Sequence, residues 1–453
     1  MSIFKAYDVR GLVDSEITAD FCFATGVAFA RFLQQEREPG TVVIGEDMRP
    51  SSPVFADAFS AGITSQGMDV IRIGLASTDM LYFAAGKLNM PGAMFTASHN
   101  PAEYNGIKMC FSGARPIGKE SGLLTIEKYV EKGSPIELRS VGVERSQPML
   151  DEYVKHLLNL VDVGSMRPLK VVIDAGNGMA GYTAPAVFKG LNAEVIEMYF
   201  ELDGTFPNHE ANPIDPKNLQ DLSKAVKKNK ADIGLAFDGD ADRCFLVDET
   251  GDLVNPSALT ALIADRALAS NPGSTIIYNL ISSRSVKEVI EENGGIAVRS
   301  RVGHSYIKKM MADTAAIFGG EHSGHFYFRD FWRADSGMLA ALHALAALSE
   351  SKGTLSELLH SYNRYSSSGE INSVVSDAQS VMESIESHYL AMNLAIGGIT
   401  TDHLDGLTIE SSDWWFNVRA SNTEPLLRLN VEAKSDALMK KVSMQVLALI
   451  GGE

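Results

Sequence analysis

Three acidic side chains alternate within one short stretch of the 453-residue sequence and could hold a metal ion. Asp238, Asp240 and Asp242 directly follow an apolar segment, with no lysine between them. Carboxylates this close repel one another unless a cation joins them, and their hard oxygen atoms suit Mg²⁺ or Ca²⁺. An EF-hand loop begins similarly, but it requires glycine at its sixth position, where this sequence has Arg243. The stretch therefore predicts a metal site of another kind, with a solvated acidic turn as the alternative.

A serine in a second polar loop could act as a nucleophile. Ser98 lies within the segment 96–101, and Lys108 follows shortly afterwards. A serine hydroxyl is a poor nucleophile unless a base or a cation assists it, and His99 and Lys108 are the nearby candidates. Serine, asparagine and proline are also typical turn formers. From this segment alone, a nucleophile and an ordinary surface turn are equally supported.

A third loop places one carboxylate among small residues. Glu321 lies in the glycine-rich segment 319–325. Its two oxygen atoms can accept hydrogen bonds from two neighbouring hydroxyls of a sugar. A plain glycine-rich turn is a serious alternative, because such patterns are individually weak.

A fourth loop near the C-terminus offers groups that suit a phosphate dianion. Arg419 supplies a guanidinium group, and Ser421, Asn422 and Thr423 supply two hydroxyls and an amide. Ser421 and Glu424 also have the spacing of a helix capping box. The proline and the strand-like apolar residues that follow argue against a helix, so we favour an anion site.

Three repeats along the chain provide the elements that would position these loops. A strand, a helix, glycine and a second strand recur in that order, which predicts βαβ units and parallel strands. Each copy adds a further apolar strand, and the serine, aspartate and glutamate loops follow these added strands. Because ligands bind at the carboxyl ends of strands in α/β sheets, we expect the three loops to converge on one cleft. The first strands are at 41–45, 169–173 and 274–278, the helices at 53–66, up to about 190 and 284–293, the second strands at 68–73, 193–198 and 296–299, and the added strands at 92–95, 232–237 and 315–318.

The C-terminal part has a different pattern. A helix is expected over 336–349, and the run Ser366-Ser367-Ser368-Gly369 is interpreted as a linker. Strands near 407–409, 414–418 and 426–431 and a closing helix from Ser435 then predict a smaller α+β domain. The expected domains are 1–143 with the serine loop, 144–250 with the metal loop, 251–366 with the sugar loop and 370–453 with the phosphate loop.

Composition excludes several classes of function. The formal net charge is −17, from 40 lysines and arginines against 57 aspartates and glutamates, which disfavours binding to nucleic acid or anionic lipid. No apolar run approaches the length of a membrane helix, and the first residues are charged where a signal peptide would be apolar. Cys22, Cys110 and Cys244 are odd in number and far apart, so neither a disulfide framework nor a zinc site is indicated. We expect a cytoplasmic protein.

The loops together resemble those of one enzyme family, the α-D-phosphohexomutases, particularly the bacterial phosphomannomutase and phosphoglucomutase branch. The motifs that carry the resemblance are KAYDVRG at 5–11, TASHNP at 96–101, DGDADR at 238–243, GGEHSGH at 319–325 and RASNTEP at 419–425. Five motifs in this order make the resemblance specific. It implies three related α/β domains with mixed sheets and a C-terminal α+β domain shaped like the TATA-binding protein, all arranged around one cleft.

The resemblance also implies a reaction. Ser98 would be a phosphoserine that gives its phosphate to a hexose phosphate, forms a hexose 1,6-bisphosphate and then takes back the other phosphate. Asp238, Asp240, Asp242 and one phosphate oxygen on Ser98 would hold Mg²⁺, which neutralises charge on the transferring group. The expected partner is a small hexose phosphate, with the bisphosphate as intermediate and activator, and the expected assembly is a monomer or homodimer.

The resemblance assigns roles to further residues. Lys108 and His325 match positions associated with general acid and base work. Other matches lie around the phosphoserine and the substrate, namely Tyr7, Arg10, His99, Arg243 and His304, and of these Arg10 and His99 are counted with the catalytic residues. Two matches, Glu321 and Ser323, would hold the sugar. The phosphate that does not react would be clamped by Arg419, Ser421, Asn422 and Thr423. The sequence departs from the family at Ile281, where relatives often have a lysine, so no role is transferred to that position.

Sugar preference and reaction class leave alternatives open. Mannose and glucose share the 3- and 4-hydroxyls that Glu321 would hold, so we expect both phosphates to react, with mannose first. A phosphoglucosamine mutase is the nearest alternative. A phosphatase with Asp238 as its nucleophile, or a non-catalytic phosphosugar-binding protein, is a more distant one.

Overall fold

Four β-sheets follow one another along the part of the chain that the computed structural model describes, which is residues 2–133, 140–396, 398–420 and 426–451. The first three sheets are mixed and carry helices, and the fourth is antiparallel. The expected fold class, three related α/β domains and a C-terminal α+β domain, is therefore confirmed.

Domain 1 is built on a sheet with the strand order β1-β5-β4-β2-β3-β6. Helix α1 begins after Thr18, whose hydroxyl accepts a hydrogen bond from the Phe21 N–H, and α3 begins after Ser77 in the same way. The elements are β1 (Val9–Leu12), α1 (Ala19–Gln35), β2 (Thr41–Glu46), α2 (Ser52–Ser65), β3 (Asp69–Leu75), α3 (Thr78–Leu88), β4 (Gly92–Phe95), β5 (Tyr104–Cys110), α4 (Leu124–Glu131) and β6 (Glu144–Ser146).

Domain 2 is built on a sheet with the strand order β10-β9-β7-β8. Its elements are α5 (Leu150–Leu160), β7 (Leu169–Asp174), α6 (Ala180–Phe188), β8 (Ala193–Met198), α7 (Gln220–Asn229), β9 (Ile233–Phe237) and β10 (Cys244–Asp248). Strand β9 is buried along its whole length, which fits its unbroken run of apolar and small residues.

Domain 3 has the sheet order β12-β11-β13-β14-β15. Its elements are α8 (Pro256–Ser270), β11 (Thr275–Asn279), α9 (Arg284–Glu292), β12 (Ile296–Ser300), α10 (His304–Thr314), β13 (Phe318–Gly320), β14 (Phe326–Phe328), β15 (Ala334–Asp335), α11 (Gly337–Glu350) and α12 (Leu355–Leu359). The expectation of a strand over 315–318 was wrong at its start. Ala315 ends α10 in the left-handed conformation, with φ of 54°, so the strand begins only at Phe318.

The internal repeat gives all three domains the same set of four paired strands. In each one, two parallel pairings are followed by an antiparallel pairing: β3-β2-β4-β5, β8-β7-β9-β10 and β12-β11-β13-β14. The serine, aspartate and glutamate loops each connect the last two strands of this set. All three loops therefore occupy the carboxyl end of the equivalent parallel strand, where α/β sheets bind ligands.

Domain 4 contains an antiparallel sheet with the order β16-β20-β19-β18-β17. The interpretation of Ser366–Gly369 as a linker was wrong, because these residues lie in β16 and pair with β20 around a bulge. Strand β16 is at the edge of the sheet, and its serine-rich composition did not prevent strand formation. The elements are β16 (Ser366–Val374), α13 (Ala378–Ile396), β17 (Thr400–Asp402), β18 (Leu407–Glu410), β19 (Trp414–Ala420), β20 (Leu426–Ala433) and α14 (Asp436–Gly451).

Domains 1, 2 and 3 share one apolar core, and domain 4 has a separate one. One continuous cluster of buried side chains runs through domains 1, 2 and 3, whereas domain 4 has a cluster of its own. A small apolar contact of Leu280 and Ile281 with Trp415 joins domain 4 to domain 3. Within the described ranges, no helix combines the length and the apolar character needed to cross a lipid bilayer.

Candidate active site

The serine loop follows β4 and holds Ser98 in an unusual conformation. Ser98 is 1% exposed and has φ of 52°, in the left-handed region that residues other than glycine rarely adopt. Its N–H donates to the Thr96 hydroxyl over 2.9 Å. A strained residue held in place by its surroundings is typical of functional sites.

The aspartate loop of domain 2 contacts this serine directly. The Ser98 hydroxyl donates to Asp238 Oδ2 over 2.8 Å. Gly239 makes the close approach possible, because a Cβ atom at this position would lie 2.4 Å from the Ser98 carbonyl oxygen. The two loops that the sequence singled out separately thus form one site between domains 1 and 2.

The three aspartates form a buried cluster whose oxygen atoms lie within 4.8 Å of one another. Asp238 and Asp240 are fully buried and Asp242 is 1% exposed. Among the described residues, Asp240 Oδ1 and Asp242 Oδ1 are buried without a close hydrogen-bond donor, with His325 Nε2 lying 3.5 Å from Asp242 Oδ1. Buried carboxylate oxygens without donors are costly unless a cation reaches them, so this donor set fits a hard divalent ion. Asp242 also lies within such a distance of His325 and Asp335.

Two cations of the described chain contact the cluster: Arg243, whose Nε lies 3.3 Å from Asp238 Oδ2, and Lys108. Lys108 lies on β5, and its Nζ donates to Asp240 Oδ2 and to Asp242 Oδ2, both over 2.6 Å. Burial by itself would lower the pKa of Lys108, but the charges of Asp240 and Asp242 outweigh burial and hold the pKa well above its usual value. Lys108 is therefore protonated in this arrangement.

The pKa values of two aspartates in the cluster shift in opposite directions. Burial, together with the charges of Asp242 and Asp240, raises the pKa of Asp238 well above its usual value. Burial would do the same to Asp242, but Lys108 and His325 hold the pKa of Asp242 well below its usual value. The negative charge is thus concentrated beside Lys108.

His99 and Arg243 connect the serine loop to the third domain. His99 Nδ1 lies 3.3 Å from the Ser98 hydroxyl, but Arg243 Nη2 donates to the same nitrogen over 2.7 Å. Burial and the charge of Arg243 lower the pKa of His99 well below its usual value. His99 is therefore neutral, and its accepting lone pair is already used by the arginine. Arg243 Nε also donates to His325 Nε2 over 3.3 Å.

Arg10 and Tyr7 reach the site from the N-terminal strand region. Arg10 donates to Asn100 of the serine loop and to Asp8, each over 2.5 Å. Tyr7 lies edge-on against Tyr306, with ring centroids 6.3 Å apart. Arg10 is therefore beside the serine loop, as expected, and Tyr7 lies between domains 1 and 3.

The glutamate loop holds Glu321 in an enclosed setting. Glu321 is 2% exposed, its Oε1 accepts from the Gly303 N–H over 3.0 Å, and its Oε2 accepts from the Tyr327 hydroxyl over 2.5 Å. Each oxygen keeps a second lone pair for another donor. In the same loop, Ser323 Oγ lies 2.8 Å from His325 Nδ1.

The remaining predicted residues are only partly described. His304 is the first residue of α10. Arg419 lies near the end of β19, and its Nη2 contacts Glu370 Oε2 over 2.9 Å. Burial lowers the pKa of His322 below its usual value, with the charge of Glu370 raising it and that of Arg419 lowering it. Ser421, Asn422 and Thr423 lie outside the described residues.

Ile281 has an apolar role in this chain. It is 7% exposed and packs with Leu280 against Trp415 of domain 4. The position where relatives often carry a lysine thus contributes to the contact between domains 3 and 4.

The sequence analysis missed Arg49, whose side chain holds the backbone of the serine loop. Its guanidinium donates to the carbonyl oxygens of Ser98, Asn100, Pro101 and Tyr104, over 2.7 to 3.0 Å. Asp47 pairs with it at 3.3 Å, and neither side chain is exposed. A charged Asp-x-Arg pair directly after an apolar strand was the available signal, since buried charges need a specific purpose.

Replacing Arg49 with lysine is expected to lower the free energy of unfolding by about 2 to 4 kcal/mol, because one ammonium group cannot reach four carbonyls that a planar fork satisfies. Turnover should fall as well, since the loop loses its support. Urea denaturation and initial rates measure the two effects. Arg266→Lys is the matched control, because Arg266 pairs with Glu350 on the surface. If the two variants have equal free energies of unfolding and equal initial rates, Arg49 does not support the loop.

Thr78 and Asp79 were also missed, and they connect the metal loop to a three-domain junction. The Thr78 hydroxyl donates to Asp240 Oδ2 over 2.6 Å. Asp79 is fully buried and accepts from Tyr153 of domain 2 over 2.7 Å and from Ser336 of domain 3 over 2.6 Å. Burial raises the pKa of Asp79 to about 6. One carboxyl thus joins three domains beside the aspartate cluster.

Comparisons with known sequences agree over the whole chain. The models of the phosphoglucomutase/phosphomannomutase family match as its α/β/α domains I, II and III at residues 1–137, 151–251 and 255–365, and as its C-terminal domain at residues 370–449. A phosphomannomutase of Vibrio cholerae is 38% identical, with 99% of this chain and 98% of that protein covered. A phosphoglucomutase of Neisseria meningitidis is also 38% identical, with 99% and 96% covered.

A solved structure shows the same arrangement of domains. The phosphoglucomutase/phosphomannomutase family protein of Burkholderia thailandensis superimposes with a TM-score of 0.89 at 31% identity, over 99% of this chain and 97% of that one. Similarity of this extent covers all four domains and the loops between them. The chain therefore belongs to the phosphoglucomutase/phosphomannomutase family.

Proposed function

We propose that this protein interconverts hexose 6-phosphate and hexose 1-phosphate through a phosphoserine at Ser98 and a hexose 1,6-bisphosphate intermediate. The observation that carries the proposal is the contact of the buried Ser98 hydroxyl with Asp238, 2.8 Å away, inside a cluster of three aspartates that Lys108 faces. A solvated turn would not bury a hydroxyl, an ammonium group and three carboxylates together.

The acidic cluster is proposed to hold Mg²⁺. Asp238, Asp240, Asp242 and a phosphate oxygen on Ser98 would provide its ligands, and the buried Oδ1 atoms of Asp240 and Asp242, which have no close donor among the described residues, suit this hard cation. When bound, the ion neutralises charge on the transferring phosphoryl group.

The proposed step exchanges one phosphate ester bond for another. The bond between phosphorus and Ser98 Oγ breaks as the bond between phosphorus and a sugar oxygen forms, and the sugar hydroxyl loses its proton. Protonated Lys108 returns a proton to the departing serine oxygen, while His325, once its Nε2 is released from the weak hydrogen bond of Arg243, receives the proton of the sugar hydroxyl. After the bisphosphate turns over in the cleft, the reverse step returns the other phosphate to Ser98.

Binding of the sugar and of the distal phosphate is assigned to domains 3 and 4. Glu321 and Ser323 hold the 3- and 4-hydroxyls, which mannose and glucose share, so mannose phosphate is proposed as the first substrate and glucose phosphate as the second. Arg419 and the loop after β19 hold the phosphate that does not react. The assembly proposed is a monomer or a homodimer.

Removing the guanidinium with Arg419→Ala is expected to raise KM for hexose phosphate by about tenfold or more, the worth of one or two charge-assisted hydrogen bonds, with a smaller change in kcat. Glu370→Gln should leave KM equal or lower it, because Glu370 competes for the same guanidinium. Lys434→Ala, on a surface pair with Asp413, is the control. Steady-state kinetics of the three variants tests this, and a KM for Arg419→Ala equal to that of Lys434→Ala would exclude Arg419 from the phosphate site.

Intact mass and peptide mapping of the purified protein, before and after treatment with hexose 1,6-bisphosphate, test the reaction class. Stable phosphate on Ser98 supports the mutase. Acid-labile phosphate on Asp238 would identify a phosphatase instead, and no phosphate under either condition would identify a binding protein.

Comparison of kcat/KM for mannose 1-phosphate, glucose 1-phosphate and glucosamine 1-phosphate tests the substrate assignment under identical Mg²⁺ and activator. We expect kcat/KM to be highest for mannose 1-phosphate and next highest for glucose 1-phosphate, with N-acetylglucosamine phosphates poor substrates. A clear preference for glucosamine 1-phosphate would overturn the sugar assignment and leave the phosphoserine mechanism standing.

A further inference from the structure

Segment 201–208 of domain 2 lies against the part of domain 1 that supports the serine loop. Gly204 is buried in this contact, and a Cβ atom at its position would lie 2.6 Å from Arg49 Cα and 2.9 Å from Pro50 Cδ. Glycine, which has no Cβ atom, allows this close approach of one backbone to another. The segment therefore meets domain 1 at Arg49, the residue that donates to four carbonyl oxygens around the serine loop.

Phe206 of this segment places its ring over the guanidinium group of Arg49. The Cζ atom of Arg49 lies 5.1 Å from the ring centroid. Arg49 is 1% exposed, so its cation is removed from water. An aromatic face attracts a cation at such a distance, and the attraction is stronger when the cation is desolvated. The ring of domain 2 thus contacts the group that holds the serine loop of domain 1.

Packing into an apolar core does not account for the position of Phe206. Its side chain is partly exposed, and within the described part of the chain it belongs to none of the apolar clusters. Its backbone has φ of 52°, in the left-handed region that residues other than glycine rarely adopt. Such a conformation persists where the surroundings impose it. A partly exposed phenylalanine in this conformation indicates a specific contact, and its ring covers Arg49.

Asn177 anchors the segment at the carboxyl end of β7. Its carbonyl oxygen accepts from the Asp203 N–H over 3.0 Å, and its side-chain amide donates to the Glu201 carbonyl oxygen over 2.9 Å and accepts from the Asn208 side chain over 2.8 Å. Within the turn, the Phe206 N–H donates to the Asp203 carbonyl oxygen over 3.0 Å. These hydrogen bonds hold the backbone of Phe206 at a fixed position relative to β7.

The same end of β7 also holds the aspartate loop. The Met179 N–H donates to the Gly239 carbonyl oxygen over 2.9 Å. A Cβ atom at Gly178 would lie 2.7 Å from the same oxygen, so the two backbones are in contact. Residues 177–179 therefore fix the aspartate loop on one side and segment 201–208 on the other.

We propose that Phe206 is a positioning residue, which sets the position of the serine loop relative to the aspartate loop by holding Arg49. The two loops belong to different domains and must meet for Ser98 to contact Asp238. Arg49 supports the first loop, and the segment that carries Phe206 shares its anchor with the second. Loss of the ring lets the serine loop move relative to Asp238, and the consequence for the reaction rests on the proposed function.

Hydrogen exchange of the full chain, followed by mass spectrometry, tests the contact. Phe206→Leu keeps the apolar bulk and removes the ring, so peptides that cover 96–104 should exchange about five- to thirtyfold faster, which is the worth of one desolvated contact between a cation and a ring. Phe206→Tyr keeps the ring and should retain the exchange rate of the parent. Tyr129→Leu is the matched control, because it removes a ring from Arg31, 6.0 Å away in the same domain, and it should leave these peptides unchanged.

Steady-state kinetics measure the consequence for the reaction. Phe206→Leu should lower kcat by about fivefold or more and change KM for hexose phosphate by less than about twofold, because the loop that moves carries the reacting group and Phe206 lies outside the residues proposed to bind the sugar. Phe206→Tyr should retain the kcat of the parent. Gly204→Ala keeps the ring but pushes the segment away from Arg49, so it should lower kcat in the same way as Phe206→Leu.

Unchanged exchange over 96–104 in Phe206→Leu, or equal exchange rates in Phe206→Leu and Phe206→Tyr, would overturn the inference. Exchange that rises to the same degree in all four domains would also overturn it, because that result is the sign of a general loss of stability. These measurements need no mutase activity. If the parent does not convert hexose phosphates, the proposed function fails, and the exchange rates still decide whether Phe206 holds the serine loop. An unchanged kcat in an active Phe206→Leu enzyme with a loosened loop would contradict the consequence for the reaction.

Discussion

Replacing Ser98 with alanine is expected to reduce mutase turnover by at least about 10³-fold, because the proposed mechanism routes the transferring phosphate through this hydroxyl alone. The substitution removes one buried hydroxyl and leaves the left-handed backbone no more strained than before, since alanine and serine are similar in size there. The fold should therefore remain intact. A coupled assay with added hexose 1,6-bisphosphate measures the rate, and circular dichroism and thermal unfolding measure the fold.

Thr96→Val provides the matched control for Ser98. It removes the acceptor of the Ser98 N–H and keeps the Ser98 hydroxyl. We expect it to slow turnover by no more than about tenfold, the cost of one lost hydrogen bond in the loop. Near-normal turnover of Ser98→Ala, or phosphate found elsewhere on that variant, would refute the phosphoserine mechanism.

Replacing Asp240 with asparagine is expected to raise the Mg²⁺ concentration for half-maximal activity by at least about tenfold. Asp240 Oδ2 already accepts from Lys108 and Thr78, and Oδ1 is the buried oxygen without a partner. The substitution removes one of three charges from the cluster and places an amide where a carboxylate oxygen would face the cation. Turnover at saturating Mg²⁺ should fall as well, because the charge of the two remaining aspartates matches that of the cation less well.

Asp248→Asn is the control for this variant, since Asp248 lies at the end of β10 in the same domain and bonds to Thr250. Mg²⁺ titrations of Asp240→Asn and Asp248→Asn should differ clearly. If both overlay that of the parent, the aspartate cluster is a structural acidic turn.

The sequence allowed most of the framework to be predicted because the repeat has a short-range signal. Apolar strands such as 92–95 and 232–237 are followed at once by polar loops, and strand, helix and strand lengths recur. The carboxyl ends of equivalent strands must then meet. The contact of Ser98 with Asp238 is the result, although the two residues are 140 positions apart.

Other parts of the site depend on contacts that no local pattern encodes. Arg49 supports the serine loop through backbone carbonyls, so its partners are defined by the path of the chain and not by side-chain type. Asp79 meets Tyr153 and Ser336 only because three domains pack together. Glu321 accepts hydrogen bonds from the Gly303 N–H and the Tyr327 hydroxyl, two partners that its own loop does not predict.

Two misjudged segments show where local composition is insufficient. The run Ser366–Gly369 has the composition of a linker, but pairing with β20 outweighs its weak intrinsic preference for a strand. The strand expected over 315–318 begins late because Ala315 ends the preceding helix. In both places a neighbour in space or in sequence decided the structure.

The division of the apolar core has a consequence for how the molecule responds to partial loss of structure. Because one cluster runs through domains 1, 2 and 3, none of these can open without exposing the apolar surface of the other two. Among the described residues, domain 4 is joined to domain 3 by the small apolar contact of Trp415 and by polar contacts that include those of Arg284, Arg299 and Val302, so its separation exposes less apolar surface than opening the three-domain cluster. We therefore expect the four domains to unfold as two cooperative units, one formed by domains 1, 2 and 3 with the serine, aspartate and glutamate loops, and the other formed by domain 4.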